Sequence, residues 1–88
     1  MKVAYQKRFL KDLASVPSNL RPAIERFVFE ELPHADSLQS TGKVEKLKGH
    51  MIYFKVRFGD FRVGLSFTDD TVTLERVLNR KEIYRKFP

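Results

Sequence analysis

Positively charged side chains alternate with apolar ones along residues 52–63, on both sides of a Gly59-Asp60 pair. Successive side chains of a strand point to opposite faces, so this alternation predicts a sheet with one apolar face and one cationic face. A cationic sheet face is typical of proteins that bind a polyanion. The residues that we assign to this face or its border are Lys55, Arg57, Arg62, Arg80 and Tyr84.

The two arginines beside the Gly59-Asp60 turn should be neighbours across the strand ladder. Like charges that face each other destabilise a sheet, and no acidic residue stands at either position, so we expect an external anion between Arg57 and Arg62. Gly64 and Ser66 should leave the middle of this face open to a ligand. The alternative is an ordinary solvated face on which lysine and arginine protect the strands.

Tyr84 follows the last predicted strand, and two functional roles are possible for its side chain. Its ring can stack on a nucleic acid base, and its hydroxyl can take part in proton transfer. A third reading is an aromatic residue of the core or of the sheet edge. Arg80 lies where the chain leaves the sheet, so it should reach over the same face, whereas we expect Glu75 and Arg76 to form local pairs.

The positive charge is concentrated in the second half of the chain. The 88 residues carry a net charge of +6, and residues 43–88 hold 11 lysines and arginines against 6 acidic residues. A basic patch on one region indicates nucleic acid as the partner, and the alternative is a basic surface that serves only solubility. Cysteine is absent, so disulfides and thiolate metal sites are excluded, and His34 and His50 lie too far apart in sequence to suggest a metal site.

Length and hydropathy predict one soluble, cytoplasmic domain that spans residues 1–88. No apolar run approaches the roughly 20 residues that cross a bilayer. The N-terminal residues turn polar too early for a signal peptide. We therefore expect no membrane association and no small-molecule cofactor.

The first half of the chain predicts a strand and two helices. Residues 2–5 form a short edge strand, and residues 6–15 carry apolar side chains at helical spacing. A second helix should begin with Ser18 as its N-cap, hold Pro22 in its first turn and end before Pro33. The two helices should form a hairpin that covers one side of a sheet. Residues 33–42 are small and polar, and we interpret them as a surface loop.

The second half predicts three consecutive strands over residues 52–58, 61–68 and 71–78. Their tight two-residue connections indicate an antiparallel meander. Phe61, Val63, Leu65 and Phe67 should share the core face of the middle strand. Residues 82–87 form a short tail that is helical or irregular. The predicted fold is α+β, with the order β-α-α-β-β-β and an antiparallel sheet that carries the helical hairpin on one face.

The chain resembles the RelE/ParE superfamily of bacterial toxins. The similarity lies in residues 46–49 (KLKG), 53–63 (YFKVRFGDFRV) and 79–85 (NRKEIYR), and it extends to the first helix with residues 9–13 (FLKDL). It therefore covers nearly the full chain. The resemblance implies a small antiparallel sheet with a helical hairpin on one face, which agrees with the fold predicted from periodicity.

The resemblance to RelE-like members implies a metal-independent endoribonuclease that cuts mRNA in the ribosomal A site by attack of a ribose 2′-hydroxyl. Lys55 and Arg57 then correspond to paired basic residues of a strand, Arg62 to a phosphate-binding arginine and Arg80 to a transition-state arginine. Tyr84 corresponds to a C-terminal tyrosine. Lys55 is the candidate general base. Further RNA-binding positions are Lys46, Lys48, Lys81 and Arg85.

The implied partners are the ribosome, mRNA and a cognate antitoxin that is acidic and wraps the toxin with an amphipathic helix. Two other functions remain open from the sequence. ParE-like members inhibit DNA gyrase without cutting RNA, and a degenerate member would only bind its partner. Asn79 keeps the second of these open, because many relatives carry a histidine just before the arginine that Arg80 matches.

Overall fold

A five-stranded sheet with helices on both of its faces forms the frame of the molecule. The computed structural model describes residues 1–88. The strands are β1 (Lys2–Tyr5), β2 (Val44–Lys46), β3 (Tyr53–Phe58), β4 (Phe61–Thr68) and β5 (Thr71–Asn79). The helices are α1 (Lys7–Ala14), α2 (Arg21–Arg26), α3 (Leu32–His34) and α4 (Arg80–Lys86). No helix is long and apolar enough to cross a membrane.

The strand order is β1-β5-β4-β3-β2, which confirms the α+β class, the meander β3-β4-β5 and the edge position of β1. The sheet is mixed where the sequence predicted it antiparallel, because β1 pairs with β5 in parallel. A parallel pair needs a long crossover, and here most of the chain separates the two strands, so no local turn signals this pairing. The sequence also missed β2, which pairs antiparallel with β3 and is too short to show a periodicity.

The second helix of the hairpin differs from its prediction at both ends. Ser18 does not cap it: Leu20 occupies the N-cap position and makes no side-chain cap hydrogen bond, while Pro22 lies in the first turn as expected. At the other end, a π-helical turn over Phe27–Glu31 joins α2 to α3, so helical structure continues past Pro33. In this turn the Leu32 N–H donates to the Phe27 carbonyl, five residues back.

The π turn is stabilised by a side chain from β1. The Tyr5 hydroxyl donates a hydrogen bond of 2.6 Å to the Val28 carbonyl, which an α-helix would have paired with the Leu32 N–H. Because the hydrogen-bond register has shifted, Pro33 follows without ending the helix at the expected place. Residues 33–42 are also less loop-like than predicted, since they include a 3₁₀ turn (Gln39–Thr41) and the buried Leu38.

The core lies between the helical hairpin and one face of the sheet, as predicted. The core-facing positions of β3 and β4 supply Val56, Val63 and Leu65, all of them fully buried. Phe67 departs from this pattern and is 36% exposed, because it lies near the turn that closes the β4–β5 hairpin. The helices contribute the following fully buried side chains: Phe9, Ile24, Phe27, Val28 and Leu32.

Arg76 does not form the expected local pair but binds Asp12 of α1, 64 positions away in sequence. The Arg76 Nε and Nη2 atoms lie 2.8 and 3.2 Å from the two carboxylate oxygens, and the Val77 N–H donates to the same carboxylate at 3.2 Å. The hydrogen bond to Asp12 is the main cause that raises the pKa of Arg76 above its usual value. The pair fastens α1 to β5 beyond the point where β1 ends.

Candidate nucleic-acid interface

The cationic face of the sheet is built by β3 and β4, and α4 lies across it. Arg57 pairs with Arg62 and Lys55 pairs with Gly64 across the antiparallel ladder, which confirms the predicted register. The residues on the other face of β3 pack against the core, so the predicted division of β3 into an apolar and a cationic face is also confirmed. We call the surface formed by Lys55, Arg57, Arg62, Arg80 and Tyr84 the cationic face.

Lys55 and Tyr84 are brought together from different elements. The Lys55 Nζ donates a hydrogen bond of 3.0 Å to the Tyr84 hydroxyl, and Tyr84 remains 60% exposed. This hydrogen bond is the main cause that lowers the pKa of Tyr84 below its ordinary value, and the charges of Lys55 and Arg62 act in the same direction against partial burial. The hydroxyl therefore gives up its proton more readily than a free phenol.

Arg62 is nearly buried, with 9% of its surface exposed. Its Nη1 donates to the carbonyls of Gly59 and Phe61 at 2.7 and 2.9 Å, while its Nε is buried without a partner. These carbonyls hold the guanidinium group under Tyr84, where its charge acts on the phenol. Arg62 is therefore a fixed charge at the base of the face, and its role as a phosphate-binding arginine stays a prediction.

The two remaining arginines have acidic neighbours that the sequence did not predict. The Arg57 Nε lies 3.6 Å from a Glu45 carboxylate oxygen, and the Arg80 Nε lies 3.8 Å from an Asp60 carboxylate oxygen. The expectation of an external anion between Arg57 and Arg62 took no account of β2, which carries Glu45, and it stays a prediction. Both pairs are more than half exposed and are weak in solvent, so an incoming phosphate can replace either carboxylate.

The start of α4 sets the positions of Arg80 and Tyr84. The Asn79 side chain accepts a hydrogen bond of 2.9 Å from the Lys81 N–H and caps the helix, and the Arg80 N–H donates to the Asp60 carbonyl at 2.7 Å. Four residues advance a helix by about 6 Å along one face, which spaces Arg80 and Tyr84 in a line. The sequence contains a signal for this cap, because Asn79 precedes Glu82 by three residues, the spacing of a capping box.

The four outlying cations do not all lie on the cationic face. Lys48 is exposed in the turn before β3, and Lys81 and Arg85 are exposed on α4. Lys46 pairs with Phe54 across β2 and β3, so its side chain leaves the sheet on the face opposite to Lys55. Three of the four therefore remain available to a ligand that extends beyond the cationic face, and Lys46 is placed at the sheet edge.

Gly64 and Ser66 do not form the open floor that the sequence predicted. Both are buried, and a Cβ atom added to Gly64 would lie 2.7 Å from the Phe87 ring. Phe87, which is 6% exposed, closes the sheet face at the end of α4. The sequence could not reveal this contact, because it joins residues that are 23 positions apart in different elements. The glycine is needed for the ring and not for a ligand.

We expect Gly64→Ala to destabilise the protein by about 1–3 kcal/mol, because the new methyl group overlaps the Phe87 ring. Urea unfolding measures this change in free energy. The control is the same substitution in a Phe87→Ala background, where the ring is absent and the cost should fall well below that in the parent chain. Equal costs in the two backgrounds would contradict a steric origin.

No group of three His, Asp or Glu side chains lies close enough together to hold a metal ion. The cationic face brings together several side chains that can do chemistry. It offers a phenol with a lowered pKa, an ammonium group in contact with it, and three guanidinium groups within the same region. Such a set can bind a phosphate and transfer a proton beside it.

Comparison with known proteins decides the family. The toxin RelE3 of Methanocaldococcus jannaschii is 39% identical over 89 residues, and the alignment covers the whole of both chains. This chain belongs to the RelE family of toxins. The assignment rests on this relative, because no protein-family model matches the chain.

Solved structures agree with the RelE assignment and with the α+β fold. The RelB–RelE antitoxin–toxin complex from Methanococcus jannaschii matches 97% of this chain and 99% of the other, with 36% identity and a TM-score of 0.79. A mutant of the E. coli toxin RelE in the free state matches 96% of this chain and 90% of the other, with 19% identity and a TM-score of 0.68. The second likeness supports the fold alone.

Proposed function

We propose that this RelE-family chain is the toxin of a toxin–antitoxin pair and that it cuts mRNA on the ribosome without a metal ion. The observation that carries the proposal is the hydrogen bond between Lys55 and Tyr84 above the fixed charge of Arg62. A phenol with a lowered pKa beside the charge of Arg62 suits proton transfer at a phosphodiester. This activity on ribosome-bound mRNA would take place in the cytoplasm.

The proposed reaction is an internal transfer of the phosphate. The ribose 2′-oxygen forms a bond to phosphorus as the bond from phosphorus to the 5′-oxygen of the next nucleotide breaks. The products are a 2′,3′-cyclic phosphate and a free 5′-hydroxyl. Tyr84 as phenolate accepts the 2′-hydroxyl proton, and Lys55 as ammonium donates a proton to the leaving oxygen. The resemblance made Lys55 the candidate general base, and we assign that role to Tyr84 because the lowered pKa belongs to Tyr84.

The arginines supply positive charge where the transition state gathers negative charge. Arg62 cannot swing outward without breaking its bonds to two carbonyls, so it acts as a fixed field below the reacting phosphate. Arg57 and Arg80 are exposed and can exchange their weak carboxylate contacts for phosphate oxygens. Arg80 lies one helical turn from Tyr84 and is the arginine that we assign to the reacting phosphate.

The proposed partner in the resting state is an antitoxin, as the resemblance implied. The solved relative from Methanococcus jannaschii is a complex of RelE with RelB. An acidic segment joined to an amphipathic helix would complement the net charge of +6 and would cover the cationic face. Co-expression with the neighbouring reading frame should yield a stable complex and relieve the arrest of growth.

The decisive experiment adds the purified chain to ribosomes stalled on a defined message and maps the 5′ ends of the fragments. We expect cuts in phase with the codons, together with 2′,3′-cyclic phosphate ends. Uncut message in this assay, combined with inhibited plasmid relaxation by purified gyrase, would replace the proposal with the ParE-like function. Uncut message without effect on gyrase would leave only the non-catalytic interpretation.

Within the same assay, Arg80→Gln should lower the rate of cutting by about tenfold to a hundredfold, because one charged hydrogen bond to the transition state is lost. The matched control is Arg26→Gln, which removes an exposed arginine of α2 far from the cationic face and should leave the rate unchanged. A normal rate for Arg80→Gln would remove Arg80 from the proposed site.

A further inference from the structure

Two buried side chains hold α4 on the cationic side of the sheet. Of residues 80–88, Ile83 and Phe87 are buried, with 2% and 6% of their surfaces exposed, and neither belongs to the main core. A helix of seven residues is not stable in water by itself. The position of α4, and of the Tyr84 that it carries, therefore depends on how these two side chains pack.

Phe87 packs against a place that the sheet leaves open for its ring. Gly64 lies so close to the ring that a Cβ atom at this position would be 2.7 Å from a ring carbon. The Tyr53 ring meets the Phe87 ring edge to face, with 5.5 Å between the centroids. We call the surface formed by Gly64 and Tyr53 the Phe87 seat. The Phe87 N–H also donates to the Ile83 carbonyl at 2.8 Å, which connects the seat to the last turn of α4.

The Phe87 seat adjoins Lys55. Gly64 pairs with Lys55 across the ladder between β3 and β4, and Tyr53 precedes Lys55 by two residues on the same face. Residues that pair directly have Cβ atoms about 4.5–5.5 Å apart. The Phe87 ring therefore fills the space beside Lys55 that a side chain at residue 64 would otherwise take. It closes one of the directions in which the long Lys55 side chain could extend.

The contact between Lys55 and Tyr84 is too weak to hold α4 in place. The Lys55 Nζ lies 3.0 Å from the Tyr84 hydroxyl and 5.1 Å from the centroid of its ring, but Tyr84 is 60% exposed. A hydrogen bond between solvent-exposed groups contributes less to stability than the complete burial of a phenylalanine side chain. The packing of Phe87 thus places Tyr84, and the hydrogen bond forms because Tyr84 is already near Lys55.

The other end of α4 is anchored separately. The Asn79 side chain caps the helix, and the Arg80 N–H donates to the Asp60 carbonyl at 2.7 Å. These hydrogen bonds do not involve Phe87, so Arg80 should keep its position when the C-terminal end of α4 is released. Loss of the Phe87 ring should therefore displace Tyr84 more than Arg80.

We propose that Phe87 is a positioning residue for the Lys55–Tyr84 pair, because its ring on Gly64 fixes the C-terminal end of α4 where the two groups come into contact. With 6% of its surface exposed, Phe87 acts through these residues and has little surface with which to touch RNA. The inference rests on the proposed function for the reaction that the pair performs. The placement of the pair, by contrast, is a property of the chain alone.

The test follows the ring signals of ¹³C-labelled tyrosine in the chain alone, by NMR, while the pH is raised. Tyr84→Phe identifies the Tyr84 signal. In Phe87→Ala we expect the pKa of Tyr84 to rise toward its ordinary value, because the hydrogen bond from Lys55 is the main cause that lowers it. The matched control is Phe29→Ala, which removes a 43% exposed ring from the π turn and should leave the pKa of Tyr84 unchanged.

Two further variants keep the test independent of how well Phe87→Ala folds. Gly64→Ala displaces the ring from the other side of the contact and should also raise the pKa of Tyr84. Phe87→Leu refills part of the seat and should restore part of the lowering. The ¹⁵N amide spectrum of the core strands reports whether each variant remains folded. An unchanged pKa of Tyr84 in a folded Phe87→Ala or in Gly64→Ala, or an equal rise in Phe29→Ala, would overturn the inference.

Cutting of ribosome-bound mRNA supplies a second readout. Phe87→Ala should lower kcat by about tenfold to a hundredfold, because the Lys55–Tyr84 pair loses its alignment. It should change KM by less than about twofold, because Arg80 keeps its position. A higher KM with an unchanged kcat would assign Phe87 to the binding of RNA and would contradict a positioning role.

The two readouts separate this inference from the proposed function. A parent chain that leaves mRNA intact, together with the expected rise of the Tyr84 pKa in Phe87→Ala, would contradict only the proposed function. A parent chain that cuts mRNA, together with an unchanged Tyr84 pKa in Phe87→Ala, would contradict only the role of Phe87.

Discussion

Tyr84→Phe should lower the rate of mRNA cutting by about 10²–10³-fold while leaving the fold intact. The substitution removes only the hydroxyl, which contacts Lys55 and whose pKa is lowered. Loss of a positioned proton acceptor costs this much in general base catalysis. Because Tyr84 is 60% exposed, its stability contribution is small, and thermal unfolding should change little.

The partner substitution Lys55→Met should cause a loss of similar size, and the double variant should lose little more than either single one. The two groups share one hydrogen bond and act as a unit, so their effects should not add. Lys43→Met provides the matched control, since it removes an exposed lysine that binds Glu31 outside the cationic face. Additive losses in the double variant would show that Lys55 and Tyr84 act separately.

The pH dependence of mRNA cutting follows from the lowered pKa of Tyr84. A base must be deprotonated, so the rate should rise with pH through the pKa of Tyr84. Lys55 lowers that pKa, and Lys55→Met should therefore move the rising part of the profile to higher pH. A profile that keeps its position in Lys55→Met, with only its height reduced, would assign the titrating group elsewhere.

Asp12→Ala should destabilise the folded chain by about 3–5 kcal/mol, measured by urea unfolding. The substitution leaves Arg76, which is 16% exposed, with a poorly solvated and unpaired charge. It also removes the acceptor of the Val77 N–H at the point where β1 no longer covers β5. A domain of this size has a total stability of about 5–15 kcal/mol, so the substitution should remove a large share of it.

Two further variants separate the lost pair from a general loss of charge. Asp36→Ala removes an exposed carboxylate that forms no ion pair and should change stability by no more than about 0.5 kcal/mol. The double variant Asp12→Leu with Arg76→Met replaces both charges by apolar groups and should recover much of the stability. If Asp12→Ala were as stable as Asp36→Ala, the pair would have no structural role.

The sequence predicted the parts of the fold that depend on local periodicity. Alternation over residues 52–68 placed β3 and β4, their register and the side chains of Lys55 and Arg57, because a strand directs neighbouring residues to opposite faces. The helical spacing of Phe9 and Leu13 placed α1 for the same kind of reason. The strand β2 escaped prediction because three residues are too few to establish a period.

By itself, the sequence determined the α+β class, the cationic face, and the positions of Lys55 and Tyr84 on neighbouring elements. Only the tertiary structure decided how these residues meet: Phe87 closes the face over Gly64, carbonyls hold Arg62, and Lys55 donates to Tyr84. The physical reason is that periodicity fixes the direction of a side chain from its own backbone. The partner it meets depends on where distant elements pack, and short-range patterns carry no information about that.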